Sequence, residues 1–161
     1  MRWFDRLVLG MNAAGSIWIL LLILLVAADA LGRSFFLHPI VGTTELVTLS
    51  IVGIVFLQLP DTIRGRRLTR SDSLLAIVGP RARAGLEAAF CLLGAAFMAL
   101  GLWGSVPLLH EAVERNHWIG NEGVFTAPVW PVKTIIVIGL AACLIQFLRL
   151  AAQGFRSMKG R

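Results

Sequence analysis

Four long apolar segments, separated by shorter polar stretches, dominate the hydropathy pattern of this chain. The first covers residues 7–28 without a charged side chain, roughly 22 positions, and the third, 88–109, is about as long. At 1.5 Å per helical residue, each can cross a hydrocarbon core about 30 Å thick. The pattern therefore predicts four transmembrane helices, over residues 7–31, 44–63, 87–109 and 129–150.

The second and fourth segments are bounded by ionisable residues, which limit their length. Glu45 and Asp61 mark the ends of the second segment. The fourth has only about 15 uncharged positions, over residues 134–148. It reaches spanning length if the helix starts near Val129 and Lys133 extends its ammonium group toward the aqueous side.

The tryptophans support the same division of the chain. Trp103, Trp118 and Trp130 fall near one predicted boundary, where indole rings commonly anchor a membrane protein. Trp18 lies in the middle of the first segment, so we expect it to pack against another helix.

The composition indicates an all-α integral membrane protein with a single domain over residues 1–161. Hydrophobic residues make up 57% of the chain and charged residues 15%, too few to cover a soluble domain of this size. The net charge of +6 comes from basic residues beside apolar segments, which favours a membrane surface over nucleic acid. Cys91 and Cys143 lie within apolar segments and are interpreted as buried hydrophobic residues.

Arginines between the second and third segments set the predicted orientation. Basic residues concentrate in cytoplasmic loops, and alternating spans then place both termini in the cytoplasm. All but three of the 15 lysines and arginines fall on that side, the exceptions being Arg33, Arg115 and Lys133. The arginines of this loop, expected to meet anionic lipid headgroups, are Arg64, Arg66, Arg67, Arg70, Arg81 and Arg83.

The same loop contains a candidate short amphipathic helix over residues 71–80. Ser71 and Asp72 are favourable N-cap residues, an apolar stretch follows, and Gly79 and Pro80 end it. Such a helix would lie on the inner leaflet. An ordinary solvated connector is the alternative interpretation.

Charged residues near the outer end of the first span are the strongest site candidates. Asp29 and Arg33 are four residues apart on one helical face, and Glu45 opens the second span. An ion pair of Arg33 with either carboxylate would fasten the first two helices at the outer boundary. A direct contact with a solute or a partner subunit is the alternative.

The residues predict neither catalysis nor a bound metal or cofactor. All three histidines lie outside the spans, and HExxH, GxSxG and glycine-rich phosphate motifs are missing from the sequence. Small residues at Gly10 and Ala14 permit close helix approach, within the chain or against a second membrane protein. The chain is therefore predicted to be a subunit and not an enzyme.

The segment over residues 28–46 resembles the small membrane subunit of tripartite ATP-independent periplasmic (TRAP) transporters, the DctQ-like family. That family shows an arginine ending the first span, an aromatic pair, Pro-Ile, then a glycine and a glutamate opening the second. The matching residues are Arg33, Phe35, Phe36, Pro39, Ile40, Gly42 and Glu45. Residues 65–72 also resemble the family's connector, without the histidine that many members have near Arg67. The turn before the fourth span is similar at Gly120, Gly123, Thr126, Pro128, Trp130 and Pro131.

This resemblance implies a transport system of three parts. A periplasmic protein captures the solute, often an organic acid, and a large membrane subunit moves it with an ion gradient, usually sodium. The small subunit would pack against the large one in the bacterial inner membrane as a fixed scaffold and help dock the binding protein. Two alternatives stay open: a self-sufficient homo-oligomeric transporter or channel, which an acid within a span would favour, and the membrane anchor of a redox complex, which intramembrane histidines would favour.

Overall fold

The computed structural model of the chain describes residues 2–37, 40–65, 80–121 and 125–159. These residues form helices α1 (Arg2–Phe36), α2 (Thr43–Arg64), α3 (Pro80–Glu114) and α4 (Trp130–Lys159). Between α3 and α4 lie two short strands, β1 (Trp118–Asn121) and β2 (Phe125–Pro128).

All four helices are long and apolar enough to span a membrane, as the hydropathy pattern predicted. The predicted spans 7–31, 44–63 and 87–109 lie inside α1, α2 and α3, and the fourth begins one residue before α4. The candidate interfacial helix falls outside the described residues, except that Pro80 opens α3. Proline is favoured at the first position of a helix, because an N–H group at that position would have no acceptor within the helix.

The helices pack as an open row in the order α1, α2, α4, α3. Among the described residues, substantial helix–helix contact joins α1 to α2, α2 to α4 and α4 to α3. Neighbours α1 and α2 are antiparallel, because Trp18 meets Ser50 while Asn12 meets Asp61. Helices α2 and α4 are parallel. Gly53 of α2 lies near Ile135 of α4, and further along both helices Phe56 of α2 lies near Gly139 of α4.

The helices of the row begin and end at two opposite sides of the bundle, which we call the hairpin end and the terminal end. The hairpin end holds the α1–α2 connection and the two strands. The terminal end holds the first turns of α1 and the last turns of α2 and α4, where Asp5 contacts Arg149. Most of α1 and α3 is open on the outside of the row: Leu24 is 65% exposed and Phe97 is 72% exposed. Apolar helices can remain exposed in this way where lipid or a partner protein covers them.

The two central helices approach each other closely at Gly139. A Cβ atom added there would lie 2.5 Å from the carbonyl oxygen of Phe56 and 2.8 Å from its Cβ. In a regular helix the Phe56 carbonyl would accept the N–H of residue 60. Here that residue is Pro60, which has no N–H to donate. At Gly139 the backbones of α2 and α4 are therefore in direct contact, and glycine permits this because it has no side chain.

The hairpin before α4 departs from the all-α prediction. Its strands are antiparallel, with Trp118 opposite Pro128 and Gly120 opposite Thr126. The N–H of Val129 also donates to the His117 carbonyl at 3.0 Å, which extends the pairing to the start of α4. Sequence analysis predicted only a turn here, because strands of four residues are too short to show a clear alternation.

Candidate functional sites at the two ends of the bundle

Asp29 organises the connection between α1 and α2 at the hairpin end. The residue is only 7% exposed. Its Oδ2 accepts a hydrogen bond from Arg33 Nε at 2.8 Å, and its Oδ1 accepts the backbone N–H of Ile40 at 2.7 Å. The Thr43 hydroxyl donates to the Ile40 carbonyl at 2.9 Å. A carboxylate at the end of α1 thus fixes the chain that leads into α2, through charge-assisted bonds.

Of the two partners predicted for Arg33, the structure shows Asp29. Among the described residues no ion pair joins Arg33 to Glu45. Glu45 instead lies in the first turn of α2, where Gly42 is the N-cap and contributes no side-chain hydrogen bond. A carboxylate in this turn is favoured by the partial positive charge of the helix N-terminus. The link between the two helices is therefore made by Asp29 and backbone groups.

Phe125 of β2 lies against two of the glycines that the family resemblance singled out, Gly42 and Gly120. Gly42 has φ +85°, and a Cβ there would overlap the Phe125 ring. Gly120 has φ +122°, and a Cβ there would overlap the Phe125 carbonyl oxygen. Both positions require glycine by backbone conformation and by space. These contacts hold the hairpin against the α1–α2 connection, although Gly42 and Phe125 are 83 residues apart in the sequence.

The remaining residues predicted for the outer turn lie at the start of α4. Pro128 ends β2, while Trp130 and Pro131 form the first turn of α4, where proline is tolerated. Gly123 and Pro39 lie outside the described residues. Lys133 was expected to extend toward the aqueous side; its Nζ donates to the Leu108 carbonyl of α3 at 3.1 Å.

Of the arginines predicted to face lipid, only Arg64 has a described side chain. Its Nε and Nη2 both approach Asp61 Oδ1 at 2.8 Å, so this guanidinium turns toward its own helix. Arg66, Arg67 and Arg70 lie outside the described residues, and Arg81 and Arg83 are described only as part of helix α3. Contact of these five with lipid stays a prediction.

A polar cluster at the terminal end escaped sequence analysis. Asp61, interpreted there as a span boundary, is 8% exposed and accepts Asn12 Nδ2 on its Oδ2 at 3.1 Å. Nearby, Arg149 of α4 pairs with Asp5 of α1 at 2.9 Å. The Arg149 guanidinium also lies 5.3 Å from the centre of the Phe4 ring, within cation–π range. The sequence signal for this cluster was Asn12, a polar residue within an otherwise apolar stretch.

Two further polar contacts follow the boundary between α1 and α2. Trp18 Nε1 donates to Ser50 Oγ at 3.1 Å and its ring packs on Gly53, which confirms that Trp18 contacts another helix. Gln58 Nε2 donates to Ser16 Oγ at 3.4 Å. Together with Asn12 and Asp61, these pairs form what we call the polar seam of α1 and α2.

The polar contacts of the described residues are contacts within the protein. No group of three or more His, Cys, Asp and Glu side chains is placed to hold a metal ion in the part of the chain that is described. On α4, Gln146 is 3% exposed, and its Nε2 has no hydrogen-bond partner among the described residues. The Asn12–Asp61 and Asp5–Arg149 contacts join different helices and so fix these helices relative to one another.

Four apolar helices in an open row, tied by polar contacts at both ends, define a multi-pass helical membrane protein. The model of the family "Tripartite ATP-independent periplasmic transporters, DctQ component" matches residues 22–157. The chain therefore belongs to the DctQ family, the small membrane subunits of TRAP transporters, as the sequence resemblance indicated. No curated protein and no solved structure matches it significantly.

Proposed function

We propose that this chain is the non-catalytic scaffold subunit of an ion-coupled TRAP importer in the bacterial inner membrane. In that role it packs against the large transport subunit and helps dock the periplasmic solute-binding protein. Both termini and the arginine-rich connector lie in the cytoplasm, where the arginines meet anionic lipid. The observation that carries this proposal, beyond the family, is the open row of helices with polar contacts fixing both of its ends.

The open row suits a scaffold because it leaves broad helix faces available to a partner. Among the described residues, α1 packs mainly on α2 and α3 mainly on α4, and many of their large apolar side chains stay exposed. Polar side chains of the described residues pair between helices, as Asn12 does with Asp61, Trp18 with Ser50 and Asp5 with Arg149. Such pairing holds the helices in a fixed order, which a surface opposing a moving partner requires.

The hairpin end suits docking of a soluble protein. Asp29 fixes the α1–α2 connection, and Phe125 holds the hairpin against it. Leu37 and Val41 of this connection are 85% and 53% exposed. These apolar side chains would contribute to the docking surface, since contiguous exposed apolar patches mark protein interaction sites.

Purification of the tagged chain, expressed with the large subunit and binding protein of its own system, tests the scaffold role. We expect the large subunit to co-purify, and solute uptake in proteoliposomes to require all three proteins. Uptake by this chain alone would contradict the proposal and favour a homo-oligomeric transporter. A haem absorbance band in the purified chain would favour a redox anchor.

Reporter fusions test the orientation. Alkaline phosphatase, which is active only in the periplasm, should be inactive when fused after Lys159 and active when inserted between β1 and β2. A fluorescent protein fused after Lys159 should fluoresce. Phosphatase activity at the C-terminus with none at the hairpin would show the opposite orientation, and the docking role of the hairpin end would then fail.

A further inference from the structure

We infer that the open edge of the polar seam, formed by Ser16 and Gln58, is where a transmembrane helix of the large subunit packs. The Gln58 amide would form a hydrogen bond with that helix. This inference rests on the proposed function, and it names the face and the polar group that make the contact.

The geometry of Gln58 leaves part of its amide available. Its Nε2 donates to Ser16 Oγ at 3.4 Å, while the Ser16 hydroxyl donates to the Asn12 carbonyl at 3.0 Å. Among the described residues nothing donates to Gln58 Oε1. A Cβ on Gly15 would lie 2.9 Å from Gln58 Cγ, so Gly15 is the surface across which the glutamine stem lies. The stem thus directs the amide to the edge of the seam beside Ser16, which is exposed.

The depth of this amide makes its open acceptor significant. Helix α2 has 22 residues, which gives about 33 Å, close to the thickness of the hydrocarbon core. Gln58 lies six residues before the C-terminal residue Arg64, about 9 Å inside the helix end. Acyl chains offer no hydrogen-bonding groups at that depth, so an amide facing them is strongly disfavoured.

In the other two contacts of the seam, the donors Asn12 Nδ2 and Trp18 Nε1 are satisfied within the chain. Asn12 with Asp61, and Trp18 with Ser50, are both part-buried and have their partners on the neighbouring helix. The Ser16 and Gln58 contact, in contrast, lies on the exposed side. Within the described residues, this edge therefore combines membrane depth, exposure and an unfilled acceptor.

The surface next to Ser16 admits a closely packed helix. Ala13 precedes Ser16 by one turn on the same side of α1 and is exposed. Gly10, one turn further, has no atom within 4 Å of an added Cβ position. Small residues let a partner backbone approach, and polar side chains then bond across the interface. A membrane helix with a donor thus fits this edge better than lipid does.

A pair of glutamine substitutions tests the inference in the assembled complex. We expect Gln58→Leu to lower the amount of large subunit retained on the tagged chain by about fivefold or more after a detergent wash. Gln146→Leu is the matched control, because it makes the same change at a buried amide. It should retain the wild-type amount. Equal retention by wild type and Gln58→Leu, or equal losses in both variants, would overturn the inference.

Photocrosslinking gives a second readout that does not alter the seam. A photoreactive amino acid at position 13 should crosslink to the large subunit in membranes, whereas products confined to lipid or to a second copy of this chain would overturn the inference. The proposed function is tested separately by the wild-type chain. If wild type retained no large subunit, the proposed function would fail and this inference with it. If wild type retained it and position 13 gave no such product, the inference alone would fail.

Discussion

Replacing Gly139 with alanine should lower the melting temperature of the detergent-solubilised chain by several degrees. The added Cβ would lie 2.5 Å from the Phe56 carbonyl oxygen, far inside normal contact distance. Overpacking of this kind typically costs about 1–3 kcal/mol. For a chain of this size, that corresponds to a decrease of about 2–12 °C in the melting temperature.

The magnitude depends on which atoms must move. The obstructing groups are the carbonyl oxygen, carbonyl carbon and Cβ of Phe56, so no change of side-chain rotamer can relieve the overlap. Separating the helices would loosen the interface between α2 and α4, the two central members of the row. We therefore expect Gly139→Leu to be more damaging still, with little folded protein recovered.

Gly104 is the matched control for this substitution. It lies inside helix α3, and nothing is within 4 Å of an added Cβ. Alanine is a better helix former than glycine by about 1 kcal/mol, so Gly104→Ala should leave the melting temperature unchanged or raise it. A thermal-shift measurement on both variants decides the matter. Similar values for the two alanine variants would show that the α2–α4 contact is not as close as described.

Length and hydropathy were sufficient to predict the four helices but not their order. A spanning helix needs only about 20 apolar residues, a signal that survives without any knowledge of neighbours. The adjacency of α2 and α4 leaves no comparable trace, since helices that are apolar on all sides do not show which face is buried. Phe56 and Gly139 are 83 residues apart, and only the fold brings their backbones together.

Some contacts of the candidate site could also be predicted from the sequence, and others could not. Asp29 and Arg33 were predictable because they are four residues apart on one helix. The bond from the Ile40 N–H to Asp29 was not, because a backbone donor carries no sequence signature. The roles of Gly42 and Gly120 depend on Phe125, whose ring and carbonyl occupy the space of their missing side chains. Sequence resemblance identified both glycines without showing this shared contact.

Replacing Asp61 with leucine should destabilise the chain by about 2–3 kcal/mol. The substitution removes the acceptor of Asn12 and of Arg64 in one step, and the Asp61 side chain is only 10% exposed. Arg64 keeps a third of its side chain exposed, so its charge can reach water, and the effect stays below that of a fully buried pair. Asp61→Asn should have a smaller effect, because its amide oxygen can still accept from one donor.

Asp5→Leu is the matched control, because Asp5 also pairs with an arginine at the terminal end. Its side chain is 36% exposed, and its partner Arg149 also has the Phe4 ring beside it. An ion pair of that exposure contributes at most about 1 kcal/mol. Thermal unfolding should therefore rank the variants with Asp61→Leu least stable, Asp61→Asn intermediate and Asp5→Leu closest to wild type.

A double-mutant cycle separates the Asn12–Asp61 bond from the loss of the Arg64 pair. If Asn12→Leu and Asp61→Leu act through the same contact, the double variant should be more stable than the sum of the single effects predicts, by about 1 kcal/mol. Strict additivity would show that Asp61 stabilises α2 through Arg64 alone. The polar seam would then hold α1 to α2 only through the Ser16 and Trp18 contacts. Arg64→Leu measured in parallel identifies this case, since it should then destabilise as much as Asp61→Leu.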